Sequence, residues 1–343
     1  MQSRNAPALI SNPRDVMSGS GGRWATEQLA RALANGQPMD SAALRSLDVL
    51  RKDEWKAFDT AVVEEAVRAR RGVADLIAAG LTTTIPRALG KTVFEYERVG
   101  DMEDAVISMA GIERSDNDRR EWDRAGIPLP MVHKDFDIDL RALEASRNGF
   151  TPLDTDYAAV AGRKVSEKQE EMLFGIDDLI FQGLPIFGYT NHPDRILKSF
   201  GTNGAWSAAA KTGPNMLADL QSGKAALREN GFRGPIWVYV SDNFDEPVGN
   251  DYSVSGGSVM TNRERLLKTP GIERIETTEF LSDDEMIMVQ ATKDVVTWLD
   301  GIDITNVQWD LGGGFRIAFK VYAIGIPLIK ATQSGKTGIV HFS

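Results

Sequence analysis

The stretch from Thr151 to Gly183 sets the scale for the rest of the chain. Tyr157, Ala161, Val165, Met172, Ile176, Leu179 and Ile180 recur at spacings of three, four and seven, which places them on one face of a helix. Arg163, Lys164, Glu167, Lys168, Glu170 and Asp177 fall on the opposite face. Thr151 is a capping residue, Pro152 suits the first helical position, and Asp154 stands three residues past the cap. Gly183 and Pro185 mark the stop. About 31 residues at ~1.5 Å each predict a rod of roughly 46 Å, far longer than the average helix. Such a rod suits a flat or elongated molecule. Gly162 and Gly175 each cost about 1 kcal/mol inside a helix, so they predict either a close neighbour or a bend.

The totals exclude several classes. A chain of 343 residues, 42% apolar and 26% charged, can bury a core in two or so structural units. No apolar run approaches membrane-spanning length, and the opening residues lack a secretory apolar core, so synthesis in the cytoplasm is expected. With no cysteine, there are no disulfides, thiolate metal sites or cysteine nucleophiles. The net charge of -10 is uneven: residues 1–52 carry +3 and residues 53–343 carry -13. An acidic body is a poor general nucleic-acid binder, because that affinity comes from neutralising phosphates.

In chain order, residues 1–23 have linker chemistry, ending in Ser18-Gly19-Ser20-Gly21-Gly22. Short helical patterns follow at Trp24–Ala34 and Ser41–Lys52, then a longer one from Glu54 to Ala79 with Trp55, Phe58, Val62, Ala66, Ala69, Val73 and Leu76 on one side. Gly80 ends it. The period then changes to two. Thr82–Ile85 and Lys91–Val99 read as strands, Gly100-Asp101 as a turn, and Asp104–Ala110 as the returning strand. Gly111 to Arg124 is dense in both signs of charge and cannot bury itself, so it is expected as a long exposed excursion. Val132–Leu140 is another strand. After the long helix, 184–204 reads as loop. An α/β region follows, with helices at Asn215–Asn230 and Thr261–Lys268 and strands at Pro235–Val240, Ile272–Glu276 and Met286–Gln290. Gly301–Trp309 and Phe315–Ile324 form a hairpin around Gly312-Gly313-Gly314.

Catalytic or ligand-binding chemistry is hard to find. His133, His192 and His341 have no metal-ligand spacing. Asp135, Asp137 and Asp139 alternate with apolar residues and lack the glycine of a calcium loop, which makes them the outward face of a half-buried strand. Ser334-Gly335-Lys336-Thr337 resembles the end of a phosphate loop, but Lys330 stands where its first glycine belongs. Gly312–Gly314 is no dinucleotide fingerprint, since Ile317 replaces the third glycine. No Gly-x-Ser-x-Gly or His-Glu-x-x-His motif occurs. No cofactor is expected, and the chain does not read as an enzyme.

The order of elements is informative where short motifs are not. An arm, an amphipathic helix, an extended charged excursion, a strand, a long helix, an α/β unit and a closing hairpin together resemble a tailed-bacteriophage major capsid protein of the Hong Kong 97 fold, in the group that includes encapsulin shells. Ile127-Pro128-Leu129-Pro130-Met131-Val132 leading to Phe136-Asp137-Ile138-Asp139-Leu140 and the Pro152 helix carries the likeness. So do Met286–Gln290, Gly301–Thr305 and Phe315–Ile324, and the resemblance covers about Glu54 to Ala331.

The resemblance implies an α+β fold with an N-terminal arm over 1–53, a helix opening the peripheral domain over 54–84 and an extended loop over 85–128. The peripheral domain with its spine helix (151–183) would fill 129–199, an axial domain 200–300, and closing strands with a tail 301–343. It implies a shell subunit whose partner is itself, in hexamers and pentamers, together with a portal and scaffolding or decoration proteins. Contact with packaged DNA would be weak and non-specific, no membrane is involved, and the subunit would belong to a virion capsid assembled in the host cytoplasm. Some members cross-link through a lysine, but Lys91 does not align with it. The contacts between subunits are expected on the excursion, at Arg114, Arg119, Arg120, Glu121, Trp122 and Arg124. The rivals are an encapsulin-type compartment holding a protein cargo and, from another class, an α/β enzyme with an unrecognised site. The basic first 50 or so residues favour the virus over the compartment.

Overall fold

Helix α1 (Lys52–Ala69) and helix α2 (Gly72–Ala78) lead into strand β1 (Thr82–Thr84), a 3-10 turn at Ala88–Gly90 and β2 (Val93–Val99). Then come β3 (Trp122–Pro128), β4 (Val132–Asp139), α3 (Leu140–Arg147), the spine helix α4 (Asp156–Phe174) and the hairpin of β5 (Leu179–Phe181) and β6 (Leu184–Ile186). The remainder is β7 (Ile196–Lys198), α5 (Gly213–Glu229), β8 (Ile236–Ser241), α6 (Asp245–Gly249), α7 (Asn262–Leu267), β9 (Ile272–Thr278), β10 (Met286–Gln290), β11 (Val296–Leu311), β12 (Arg316–Ile329) and β13 (Ile339–Phe342). The structure, a computed structural model, describes residues 52–99, 109, 122–148, 155–176, 178–252, 260–311 and 316–343. The expected arm up to residue 51, the strand at Asp104–Ala110 apart from Met109, the helix start at Thr151–Asp154 and the turn at Gly312–Gly314 lie outside them.

Several expectations need correcting. The spine helix has 19 residues, not about 31. Gly175 ends it with φ +84, a backbone conformation that a side chain resists. Leu179, Ile180 and Phe181 therefore belong to a hairpin, turned at Gln182 and Gly183 with φ of 54 and 79, the pair of positive angles a tight two-residue turn needs. Ala161, Val165 and Met172 are buried as expected, but Tyr157, Ile176 and Ile180 are exposed, and Glu170 is fully buried instead of facing out. The helix expected from Glu54 to Ala79 is broken at Arg70-Arg71. The segment 184–204, read as loop, contains β6 and β7, and both α3 and β13 are elements that the periodicity did not signal.

Two-residue alternation builds the larger unit, which holds the described residues of 60–134, 156–306 and 321–343. Its five-stranded sheet has the order β7-β13-β10-β8-β9. The strands β8, β10 and β13 are buried along their whole length, which requires cover on both faces. Trp237, Tyr239, Ile287, Val289 and Ile339 meet Val73, Leu76, Leu173 and Phe174 on one face. Val238, Val240, Met286, Met288, Val340 and Phe342 meet Leu220, Leu227 and Trp206 on the other. A third cluster joins Leu299, Ile324, Ile326 and Leu328 to Ile85, Ile127, Leu129 and Ile186. Strand β1 extends this region by pairing in parallel with Trp298–Asp300.

Buried polar groups fix the loop ahead of α5. The Lys211 ammonium, without exposure, donates to the carbonyls of Thr202 and Gly204 and pairs with Asp219 at 2.6 Å. Asp219 also accepts from the Gly201 amide and the Trp206 indole, so every partner in the knot is satisfied.

The smaller unit holds the described residues of 1–59, 135–155 and 307–320. Phe136 stacks on Phe319 at 4.9 Å between centroids, with Phe58 at 5.4 Å and Trp55 at 6.4 Å. Arg147 grips both carboxylate oxygens of Glu54, at 2.8 and 2.9 Å, and this pairing raises its pKa. Asp135, Asp137 and Asp139 face outward, as expected, and pair with Lys320 and Arg316.

Gly162 supplies the close neighbour its sequence position implied. A Cβ there would lie 2.6 Å from the Val62 carbonyl oxygen, so α1 and α4 touch backbone to backbone. Gly162→Ala gains about 1 kcal/mol of helix propensity but must push α1 away, which costs about 1–3 kcal/mol. Overpacking should win, and the denaturation midpoint of the unassembled subunit should fall; a rise would show that the contact yields freely.

Candidate assembly surface

The first candidate surface is a two-stranded ribbon. Strands β2 and β3 pair antiparallel in register from Val93↔Pro128 to Val99↔Trp122. Seven pairs at ~3.3 Å each make a ladder of roughly 23 Å. Period two sorts its faces: Phe94 and Tyr96 turn toward the cluster containing Ile127 and Leu129, while Glu95 and Glu97 are exposed. Arg124 is exposed and lies opposite Glu97. No third strand joins this ladder among the described residues.

The structure redraws the sequence reading here. The partner of β2 is Trp122–Pro128; the returning strand expected at Asp104–Ala110 lies, apart from Met109, outside the described residues. Trp122 and Arg124, assigned to the exposed excursion, are strand residues of β3. Arg114, Arg119, Arg120 and Glu121 lie outside the described residues. The structure also brings out Ile176, Ile180 and Phe181, exposed apolar residues at the end of α4 and in the β5–β6 hairpin. Ile176 and Ile180 went unnoticed because a helical period placed them in a core face, and Phe181 falls outside that pattern. The positive-φ glycine at 175 was the available signal.

Where the spine helix sits is decided by one carboxylate. Oε1 of Glu170 accepts from the amides of Arg71 and Val73, both at 2.9 Å, and Oε2 accepts from Gly72 at 3.0 Å. These are orphan donors at the start of α2, so a side chain of α4 caps a different helix. Gly72 is required: a Cβ would meet Leu173 Cδ2 at 2.9 Å and Glu170 Oε2 at 3.2 Å. Arg70 donates to Gln169 at 2.6 Å and lies 3.7 Å from Asp303. Nearby, Asp75 accepts from the Tyr239 hydroxyl at 3.0 Å and pairs with Arg274.

Burial pushes the Glu170 carboxyl up to about 7, while the three amides and Arg70 pull the other way. Burial also raises Tyr189, with Glu170 adding to the effect. Among the described residues no group of three or more acids or histidines is arranged to hold a metal ion. His192 accepts from the Asp194 amide at 3.2 Å, and His341 stands 3.5 Å from Glu285. No helix among the described residues is long and apolar enough to cross a membrane.

This arrangement is the fold of the Hong Kong 97-like shell proteins. The chain is similar to the virus-like particle from Pyrococcus furiosus, with a TM-score of 0.58 and 18% identity, covering 84% of this chain and 98% of that one. It is also similar to the capsid of Myoviridae phage XM1, with a TM-score of 0.58 and 13% identity, covering 78% and 90%. In sequence it is 26% identical over 139 residues to the type 1 encapsulin shell protein EncA of Myxococcus xanthus; the match takes in 39% of this chain and spans only 45% of that protein. Residues 42–312 match the family described as "Family of unknown function (DUF6260)", and the chain belongs to that family. These relatives are structural shell proteins, not enzymes.

The raised carboxyl of Glu170 fixes the sign of a pH effect. Because its folded pKa of about 7 exceeds the unfolded value near 4.5, its contribution to stability is full below pH ~4.5 and is lost as pH rises through 7. Glu170→Gln, neutral throughout, should lack this decline when denaturation midpoints at pH 5 and pH 8 are compared with those of the wild type. Glu170→Ala leaves three amides without an acceptor and should lose stability at both pH values, by roughly 2–5 kcal/mol.

Proposed function

We propose that this protein is the major capsid protein of a tailed bacteriophage, a subunit that assembles with copies of itself into an icosahedral shell around double-stranded DNA. The observation that carries the reading is the β2–β3 ribbon, rooted in the core at one end and unpaired by any third strand along its length among the described residues. A neighbouring subunit supplies the missing surface, and many modest contacts repeated around a shell give strong avidity. Charge supports DNA as the content: residues 53–343 carry -13, so the body of the wall does not grip phosphates, while residues 1–52 at +3 touch the genome weakly. In this reading the shell forms in the host cytoplasm, with a portal and scaffolding or decoration proteins as further partners.

The likeness to EncA favours a second reading, an encapsulin-type compartment around a protein cargo. The two differ in content. Particles purified from the native source and treated with nuclease should retain protected double-stranded DNA if the first reading holds; a co-purifying protein cargo without DNA establishes the second. Negative-stain microscopy of the purified protein should show closed particles in either case, and a monomer under all assembly conditions overturns both. Replacing residues 111–121 with a short glycine-serine linker spares β3 and should leave a folded subunit that no longer closes shells. An unchanged particle yield would remove the excursion from the interface.

A further inference from the structure

The five-stranded sheet of the larger unit is electrically polar along its strands. Strand β8 pairs with β9 from Ile236↔Ile272 to Ser241↔Thr278 and with β10 from Gln290↔Ile236 to Met286↔Val240. All loops at the Ser241 end are therefore neighbours, and those at the Ile236 end lie roughly 20 Å away.

The Ser241 end is acidic. Asp242, Asp245 and Glu246 follow β8, Glu279 follows β9, and Asp283 and Asp284 precede β10; all six are exposed. Asp284 accepts from Ser207 and Asn243, whereas Asp242, Asp245, Glu246, Glu279 and Asp283 form no ion pair among the described residues.

The Ile236 end carries more cations than acids, although Glu229, Glu273 and Asp294 also stand there, and it has a recess. Lys224 and Arg228, one helical turn apart near the C-terminal end of α5, line an open cleft of about 440 Å³ with Gln221, Glu229, Thr269 and Pro270. Exposed Arg233 and Lys268 stand in the flanking loops. Like charges at this spacing repel, and neither Lys224 nor Arg228 has an acidic partner within 4 Å among the described residues. The Lys224 ammonium donates to the Pro270 carbonyl, and burial together with Arg228 lowers its pKa. The Thr269 hydroxyl, on a residue 7% exposed, has no partner. The cleft is thus short of an anion.

We infer that the acidic end of this sheet in one copy docks into the Lys224–Arg228 cleft of the next, so that copies of the chain join head to tail through carboxylate–cation contacts. The inference rests on the shell reading and names the partner surface within it. Charge complementarity selects the occupant: two different patches on opposite ends of one sheet make a heterologous contact, the kind that closes into a ring where the rotation between copies allows it and runs on as a filament where it does not. The mostly acidic chain also argues against a nucleic-acid strand in the cleft.

Charge exchange tests this, using the full chain and particle yield by sedimentation, with melting curves to confirm that each variant folds. Lys224→Glu with Arg228→Glu should lower shell yield about ten-fold or more at low salt, as should Glu246→Lys with Asp283→Lys. All four changes in one chain should restore assembly. Mixing the two double variants should restore association between copies, but only in rings with an even number of subunits, because the variants must alternate; five-membered rings are then barred and closed shells should not form. If wild type assembles and the folded double variants assemble equally well, or the four-fold variant is not rescued, the inference is overturned while the shell reading stands. Wild type failing to assemble under any condition overturns the shell reading, and this inference with it.

Discussion

A single buried carboxylate ties the molecule together. Among the described residues, Glu170 accepts from the amides of Arg71, Gly72 and Val73 at the start of α2, and it reaches them from another helix. Because a helix start cannot be left unsatisfied inside a protein, the position of α4 against α1 and α2 has one solution. The sheet inherits that solution: Val73 and Leu76 on α2, with Leu173 and Phe174 at the end of α4, cover the face made by Trp237, Tyr239 and Ile287. Glycine completes the fit where backbones meet, at Gly72 under Glu170 and at Gly162 over Val62.

That division of labour suits a shell subunit. The core is fixed by buried polar knots such as that of Lys211 and Asp219, while the surfaces are left incomplete. In the proposed shell, a ribbon with no third strand among the described residues, an apolar hairpin carrying Ile180 and Phe181, and a sheet with opposite charges at its two ends would each gain from a second copy. Such contacts are individually weak, which lets a growing shell correct errors, and their number makes the closed form stable. In the proposed shell, rigidity belongs to the subunit and reversibility to its edges.

Much of this was legible in the residues. Period-two runs located β2, β4, β8, β9, β10, β11 and β12, and the order of elements pointed to the Hong Kong 97 fold before any contact was known. The misreadings share one cause. From Ile176 to Ile180 the apolar spacing still fits a helix, yet Gly175 at φ +84 has already turned the chain, and the same residues emerge on a hairpin. Glu170 looked like one more charge on a solvated face because its partners are about 100 positions away, at Arg71 to Val73. Strand β2 pairs with β3 across more than twenty intervening positions, a separation at which no local turn signal points to the partner.

The sequence by itself determined where most of the strands run and the order in which helices and strands follow one another. Local periodicity, glycine and proline act within a few residues, so their message survives without a fold. Only the tertiary structure decided which helix caps which, where the spine ends, and that unpaired acids and unpaired cations stand at opposite ends of one sheet. Those outcomes depend on backbone amides and strand register brought together from distant parts of the chain, and no local pattern encodes them.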